Sequence, residues 1–283
     1  MLVLAIGVTV ALAISSRSAT EISISTTQDE SSRALEAAQA GLERYLGGVP
    51  HPTSVPAGGG GDLPGMNASY FVPNATTLGG STSYQVPYLL VAGDVATIDM
   101  PSGSTSYSGV RVCWGSGGIQ PKLDVAIFYC QRTVAGEVCD MPNVTGQYFT
   151  RRKGYDPDSS GATYPNFTNV SGPNNCGTGT TYNYSVGINF NNDNGQNIQL
   201  PALGASGNRI FFLRVRMLGN GSNLQPLAAQ LMGAGVTFPT QAGIVESVGT
   251  SGDTVQKIRA TVTVWDLPPI FDGAVFSGAD IVK

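Results

Sequence analysis

Charge is scarce in this chain. Only 12% of its 283 residues are Asp, Glu, Lys or Arg, and the 15 basic and 19 acidic residues leave a net charge of −4. The one close basic cluster is Arg151-Arg152-Lys153. Proteins that grip a phosphate backbone need clustered Lys and Arg, so a nucleic-acid partner is not expected. There is a single histidine, His51, in a Pro- and Gly-rich stretch, and no C-x-x-C pair among the four cysteines. Zinc sites and thiol redox motifs use close Cys pairs and His, so neither is expected. No G-x-S-x-G elbow, P-loop or H-E-x-x-H occurs, and one histidine cannot furnish a credible Ser-His-Asp arrangement. Asp156 and Asp158, in YDPDSSG, could pair as carboxylates or, like Asp193 in NNDNG, touch calcium. Their Pro, Ser and Asn surroundings read as turn chemistry instead. The expectation is a protein that is not an enzyme and carries no cofactor or metal.

Glycine is plentiful, at 37 residues. With abundant Ser, Thr and Asn it gives the profile of an extracellular β-protein. Disulfides are the preferred reading of Cys113, Cys130, Cys139 and Cys176, and they imply an oxidising exterior. Cys130 and Cys139 flank Thr133–Gly136 symmetrically. If that segment is a hairpin turn the two face each other, which leaves Cys113 with Cys176.

The chain opens on an uncharged, almost wholly apolar run, Met1 to Ile14. No Lys or Arg precedes it, as if a basic leader had been removed, and it does not have the form of a secretory signal. At about fourteen residues it is short of the ~20 needed to cross a bilayer. The sequence then turns polar without a Pro and becomes amphipathic from Ser31 to Leu46. Three readings fit: a buried core helix, a membrane anchor, and a helix packed among copies of itself. The last explains apolar residues on every face, because neighbouring subunits bury them all.

The apolar segment, then SSRSATEIS, then ESSRALEAAQAGLERYL resembles the N-terminal helix of type IV pilins and pseudopilins. It is most similar to the X-type minor pilins, through Ala34, Ala37, Ala38, Ala40, Gly41 and Leu42. VATIDMPS, VRVCWGS, YFTRRKGYDP and the terminal LPPIFDGAVFSGADIVK are similar to large pilin-like proteins. The resemblance implies a structural subunit of an extracellular pilus-like filament, inserted in the inner membrane before assembly. Its partners would be copies of itself, the membrane and the pilus assembly machinery. Met1, Leu2, Leu4, Ala5, Gly7, Val8, Ala11, Leu12 and Ile14 would form the assembly helix. Many pilins carry a Glu at the fifth mature position; here that residue is Ala5 and no acid precedes Glu21, a departure shared by tip-located pseudopilins. The alternatives are a membrane-anchored adhesin or carbohydrate-binding β-domain, or a minor tip subunit that primes assembly.

The expected fold class is α+β: a long N-terminal helix followed by a mainly antiparallel β globular domain. The helix covers residues 1–48, a Gly/Pro-rich connecting loop covers 49–80, and an all-β head covers 81–283 with a long polar insertion near 154–187. Short strands are expected at Tyr84–Val91 and Val95–Met100. Val110–Trp114 and Leu123–Tyr129 form a hairpin-like pattern around Gly115–Gly118. Arg209–Leu218, Gly243–Val248 and Val255–Trp265 read as a meander whose last turn is Gly249–Asp253. Two expectations concern the helix. Ser15–Thr27 is dense in Ser, Thr and Ile and should kink or fray. Leu35, Ala38, Leu42, Tyr45 and Leu46 recur at helical spacing and should face the sheet, with Glu36, Glu43 and Arg44 wetter. Seven N-x-S/T sequons, at Asn67, Asn74, Asn143, Asn166, Asn169, Asn183 and Asn220, are candidate glycosylation acceptors.

Overall fold

A computed structural model describes residues 2–47, 59–73, 75–101, 107–139, 144–158, 167–170, 172–190, 198–200, 208–233 and 235–263, with helix side chains from Ile14 onward. One helix, α1 (Leu2–Gly47), precedes fourteen strands among the described residues. These are β1 (Gly59–Leu63), β2 (Ala68–Val72), β3 (Ala75–Leu78), β4 (Ser83–Gln85), β5 (Val95–Asp99), β6 (Gly109–Trp114) and β7 (Lys122–Gln131), then β8 (Gln147–Asp156), β9 (Thr168–Asn169), β10 (Tyr184–Asn189), β11 (Arg209–Leu218), β12 (Leu227–Met232), β13 (Ala242–Ser251) and β14 (Thr254–Thr263). The class is α+β, and the strand pairs whose register is described are antiparallel except β8 with β9.

Two compact units result, one drawn from Met1–Thr77 and Ala242–Val262, the other from Leu78–Gln241 and Thr263–Lys283. The first holds α1 on a sheet ordered β1-β2-β13-β14, with β3 also pairing β13. The second holds two sheets, β10-β6-β12-β4 and β5-β11-β7-β8-β9. Their inner faces share one core. Val110, Val112 and Trp114 of β6 alternate inward from one sheet, and Leu123, Val125 and Ile127 of β7 with Leu213 and Val215 of β11 do so from the other. That period of two is what a sheet with one buried face requires. Trp114 satisfies its indole N–H on the Pro121 carbonyl at 2.7 Å.

Val110–Trp114 and Leu123–Tyr129 are strands but not a hairpin. β6 pairs β10 and β12, whereas β7 pairs β11 and β8 in the other sheet. Gly115, at positive φ, turns the chain from one sheet to the other. Likewise β11 is not part of a meander with β13 and β14; only the last two are neighbours. Their turn is tighter than expected, because β13 runs to Ser251 and only Gly252-Asp253 remain between the strands. Of Tyr84–Val91, β4 ends at Gln85 and Leu90 makes a single bridge to Gln225. Strands β1, β2 and β3 lie within the stretch expected to connect helix and head.

The cysteines pair as Cys113–Cys176 and Cys130–Cys139. Around the second, Glu137 accepts from the backbone N–H groups of Thr133 and Val134, which holds its carboxyl below the usual range and closes the turn. The first buries both sulfurs with Tyr182 and Ala228 in a small cluster of their own. It pins part of the expected 154–187 insertion to the β10-β6-β12-β4 sheet, where Asn174 and Tyr182 bridge and Tyr184–Asn189 becomes β10. In the chain-entropy view a link closing so long a loop contributes about 4 kcal/mol.

Asp99 ends β5, with its backbone N–H and C=O both bonded to the Gln241 side chain. Burial pushes its carboxyl up from 3.8 to about 6. The fold therefore favours the neutral acid, and the penalty for ionising it grows as pH rises through that interval. Asp99→Asn should raise stability by about 1–3 kcal/mol at pH 8, after allowance for partial exposure, and give no gain near pH 4. Thermal melts of both proteins at the two pH values check this.

Candidate assembly helix

α1 runs for 46 residues without a break, about 69 Å at 1.5 Å per residue. The kink or fraying expected over Ser15–Thr27 does not occur. Thr20, Thr26 and Thr27 turn their hydroxyls back onto the carbonyls of Ser16, Ile22 and Ser23, each at 2.9 Å. The side chains that could compete with the helix instead bond within it. An exposed pair four residues apart, Arg17–Glu21, lies along the same stretch, and Asp29–Arg33 follows it.

The helix has two regimes. From Ser31 onward it lies on β13 and β2 through Ala34, Ala37, Ala38 and Gly41, all buried. The spacing of three and four residues puts them on one face. They are small because the backbones meet. A Cβ on Gly249 of β13 would overlap the Ala34 carbonyl oxygen and crowd the Ala38 nitrogen, and one on Gly41 would meet Tyr70 and the Ser247 hydroxyl. Hydrogen bonds from Thr254 to Glu30 and from Gln256 to Ser31 tie the start of this seam to β14. The face differs from the one expected. Ala38 is in the seam and Leu42 and Tyr45 are half-buried, but Leu35 and Leu46 remain 42% and 38% exposed. Leucine is too bulky for a contact this close. Glu36, Glu43 and Arg44 are exposed.

From Ile14 to Asp29 every residue is exposed, including Ile14 at 63%, Ile22 at 68% and Ile24 at 53%. This whole stretch of helix thus lies outside any packing from the described residues. The side chains of Met1 to Ala13, which include all the expected assembly residues except Ile14, lie outside the described set. Among the described residues no helix is long and apolar enough to cross a membrane.

Asp156 is buried in an ion pair with Lys122 at 2.9 Å, and its other oxygen accepts from the Asp158 backbone N–H. Among the described residues no group of three His, Cys, Asp or Glu could hold a metal ion. His51, Asp193, Asn74, Asn143 and Asn166 lie outside the described set. Asn67, in the β1–β2 turn, and Asn169 are exposed. The Asn183 amide donates to the Gly117 carbonyl. Asn220 is not an available acceptor: it is buried and donates to the carbonyls of Leu90 and Asn223. Comparison of the chain with known families, curated proteins and solved structures finds no match.

Gly249→Ala should cost about 1–3 kcal/mol by forcing helix and strand apart. Hydrogen exchange of the full chain should show faster exchange at residues 34–41 and unchanged protection in β6, β7 and β11. Unchanged exchange along the helix would contradict the close contact.

Proposed function

We propose that the chain is a structural subunit that polymerises through its N-terminal helix into an extracellular filament of the type IV pilin kind. The observation that carries this reading is the continuous helix, docked by one half and bare along Ile14–Asp29. Ahead of the bare stretch the sequence from Met1 to Ile14 is uncharged and apolar but for Thr9. Such a helix is unfavourable in water, and stacking copies removes its surface at ~25 cal/mol per Å² of apolar area. Small residues at Ala5, Gly7, Ala11 and Ala13 suit close helix approach. No charge falls within Met1–Ile14, so a bundle of these segments buries no unpaired side-chain ion.

Before assembly the same segment rests in the inner membrane. A fourteen-residue apolar helix spans about 21 Å, less than a bilayer core, so the hold is weaker than that of a full transmembrane helix. Transfer into a fibre relieves the mismatch. The two disulfides suit an oxidising exterior.

Ala11→Asp and Ile24→Asp are each expected to abolish filaments while the disulfide-linked β-structure stays folded. Negative-stain microscopy of sheared surface fractions, with circular dichroism of the purified full chain, reads both. Normal filament yield from both variants would make the helix an anchor and favour a membrane-held adhesin.

A further inference from the structure

The exposed part of the docked half of α1 has a composition of its own. Asp29, Glu36 and Glu43 recur every seven residues, so they form one row, and all are exposed. Beside that row lie Leu35, Leu42 and Leu46, the leucines left wholly or partly out of the seam, with exposed Gln39 between them and the acids. Arg33, which pairs with Asp29 at 2.7 Å, and Arg44 lie further around the helix, so Glu36 and Glu43 are the acids the row offers a partner. Ile24 falls on the same leucine stripe in the bare half. One partner lying along the helix would therefore touch both halves.

The opposite chemistry is found on β8. β8 itself carries Arg151, Arg152 and Lys153 and one acid, the buried Asp156. β8 pairs β7 along Gln147–Tyr155, and among the described residues its other side pairs β9 only at Tyr155 and Asp156. Gln147, Tyr148, Phe149, Arg151 and Arg152 are exposed. Their register sets Tyr148 and Arg152 on one face, across from Cys130 and Ala126. Phe149 and Arg151 share the other, across from Tyr129 and Ile127. Neighbouring rings hold the exposed ones: Phe149 stacks on Tyr129 at 5.6 Å, and Tyr148 lies 5.7 Å from Phe211, over which Arg209 sits. Aromatic and Arg side chains held rigidly at an exposed edge are the residues that dominate protein interfaces.

We infer that the β8 edge of one copy receives the acidic-apolar outer face of α1 from a second copy. The occupant follows from charge. Pairing β8 with β8 would set Arg151 against Arg151, and pairing helix with helix would set the Glu36–Glu43 row against itself. Only the crossed pairing matches both surfaces. Because the two patches differ, the contact is head-to-tail and does not close by twofold symmetry. Arg152 is already paired with Asp124, so Arg151 supplies most of the unshared charge. The inference rests on the filament reading and names the contact between subunits that lies outside the apolar bundle.

The test uses the full chain, purified in detergent and assembled by detergent removal at low salt, with pelletable protein and negative-stain microscopy as readouts. Arg151→Glu with Arg152→Glu, and separately Glu36→Arg with Glu43→Arg, should each lower filament yield about tenfold. Mixing the two inert variants should restore it to within about twofold, as an alternating copolymer, because each then meets its opposite charge. Arg151→Glu alone, which leaves the Asp124–Arg152 pair intact, should weaken assembly with no change in melting temperature. Unchanged yield from both reversed variants, or a mixture that stays inert, would overturn the inference and leave the filament reading standing. If the unaltered chain forms no filaments, both fall.

Discussion

Backbone contact between α1 and β13 is the constraint on which the molecule depends. Gly249 brings a strand against the helix so closely that only alanine and glycine fit across from it. That seam uses Ala34, Ala37, Ala38 and Gly41 and leaves the larger apolar side chains Leu35 and Leu46 of the same helix turned outward. It also ends near Glu30, above which the helix continues with no packing from the described residues. A helix held firmly at one end presents the other in a fixed direction. The sheet therefore acts as a socket for a rod, and in the proposed filament the rest of that rod meets neighbouring subunits.

Several ionisable side chains among the described residues are engaged in local structure. Asp156 is paired with Lys122, Glu137 closes a turn, and Glu246 pairs across strands with Lys257 at 2.7 Å. The buried amides of Asn220 and Gln241 bond the Leu90 and Asp99 carbonyls. What distinguishes the surface is arrangement. Acids and leucines lie along the helix, and arginines and aromatic rings lie along β8. In the proposed filament, contacts at two different patches would give an open-ended chain.

Much of the fold is legible where sequence pattern and physics agree. Arg209–Leu218 is a strand at its expected bounds because RIFFLRVRML is apolar and branched with polar punctuation. The β13–β14 pair follows from alternation on either side of Gly252-Asp253. Other features are hidden for identifiable reasons. Hydroxyl-rich Ser15–Thr27 reads as helix-breaking, but threonines that bond their own i−4 carbonyls remain helical. Pattern alone assigns the docking face to Leu35 and Leu46, because leucine gains most from burial. The close approach to Gly249, a residue far away in the chain, reverses that preference. Sheet switching after Trp114 leaves no local mark beyond a glycine. The basic cluster on β8 is visible as Arg151-Arg152-Lys153, but its place beside exposed rings on the two faces of the strand needs the register with β7.

The most direct measurement is electron cryomicroscopy of the purified full chain after detergent removal. The expected result is fibres of constant diameter with a regular axial rise, the N-terminal helices at the centre and the β-sheets outside. Single subunits held in lipid vesicles by that helix, with no fibres at any protein concentration, would contradict the assembly role of the helix.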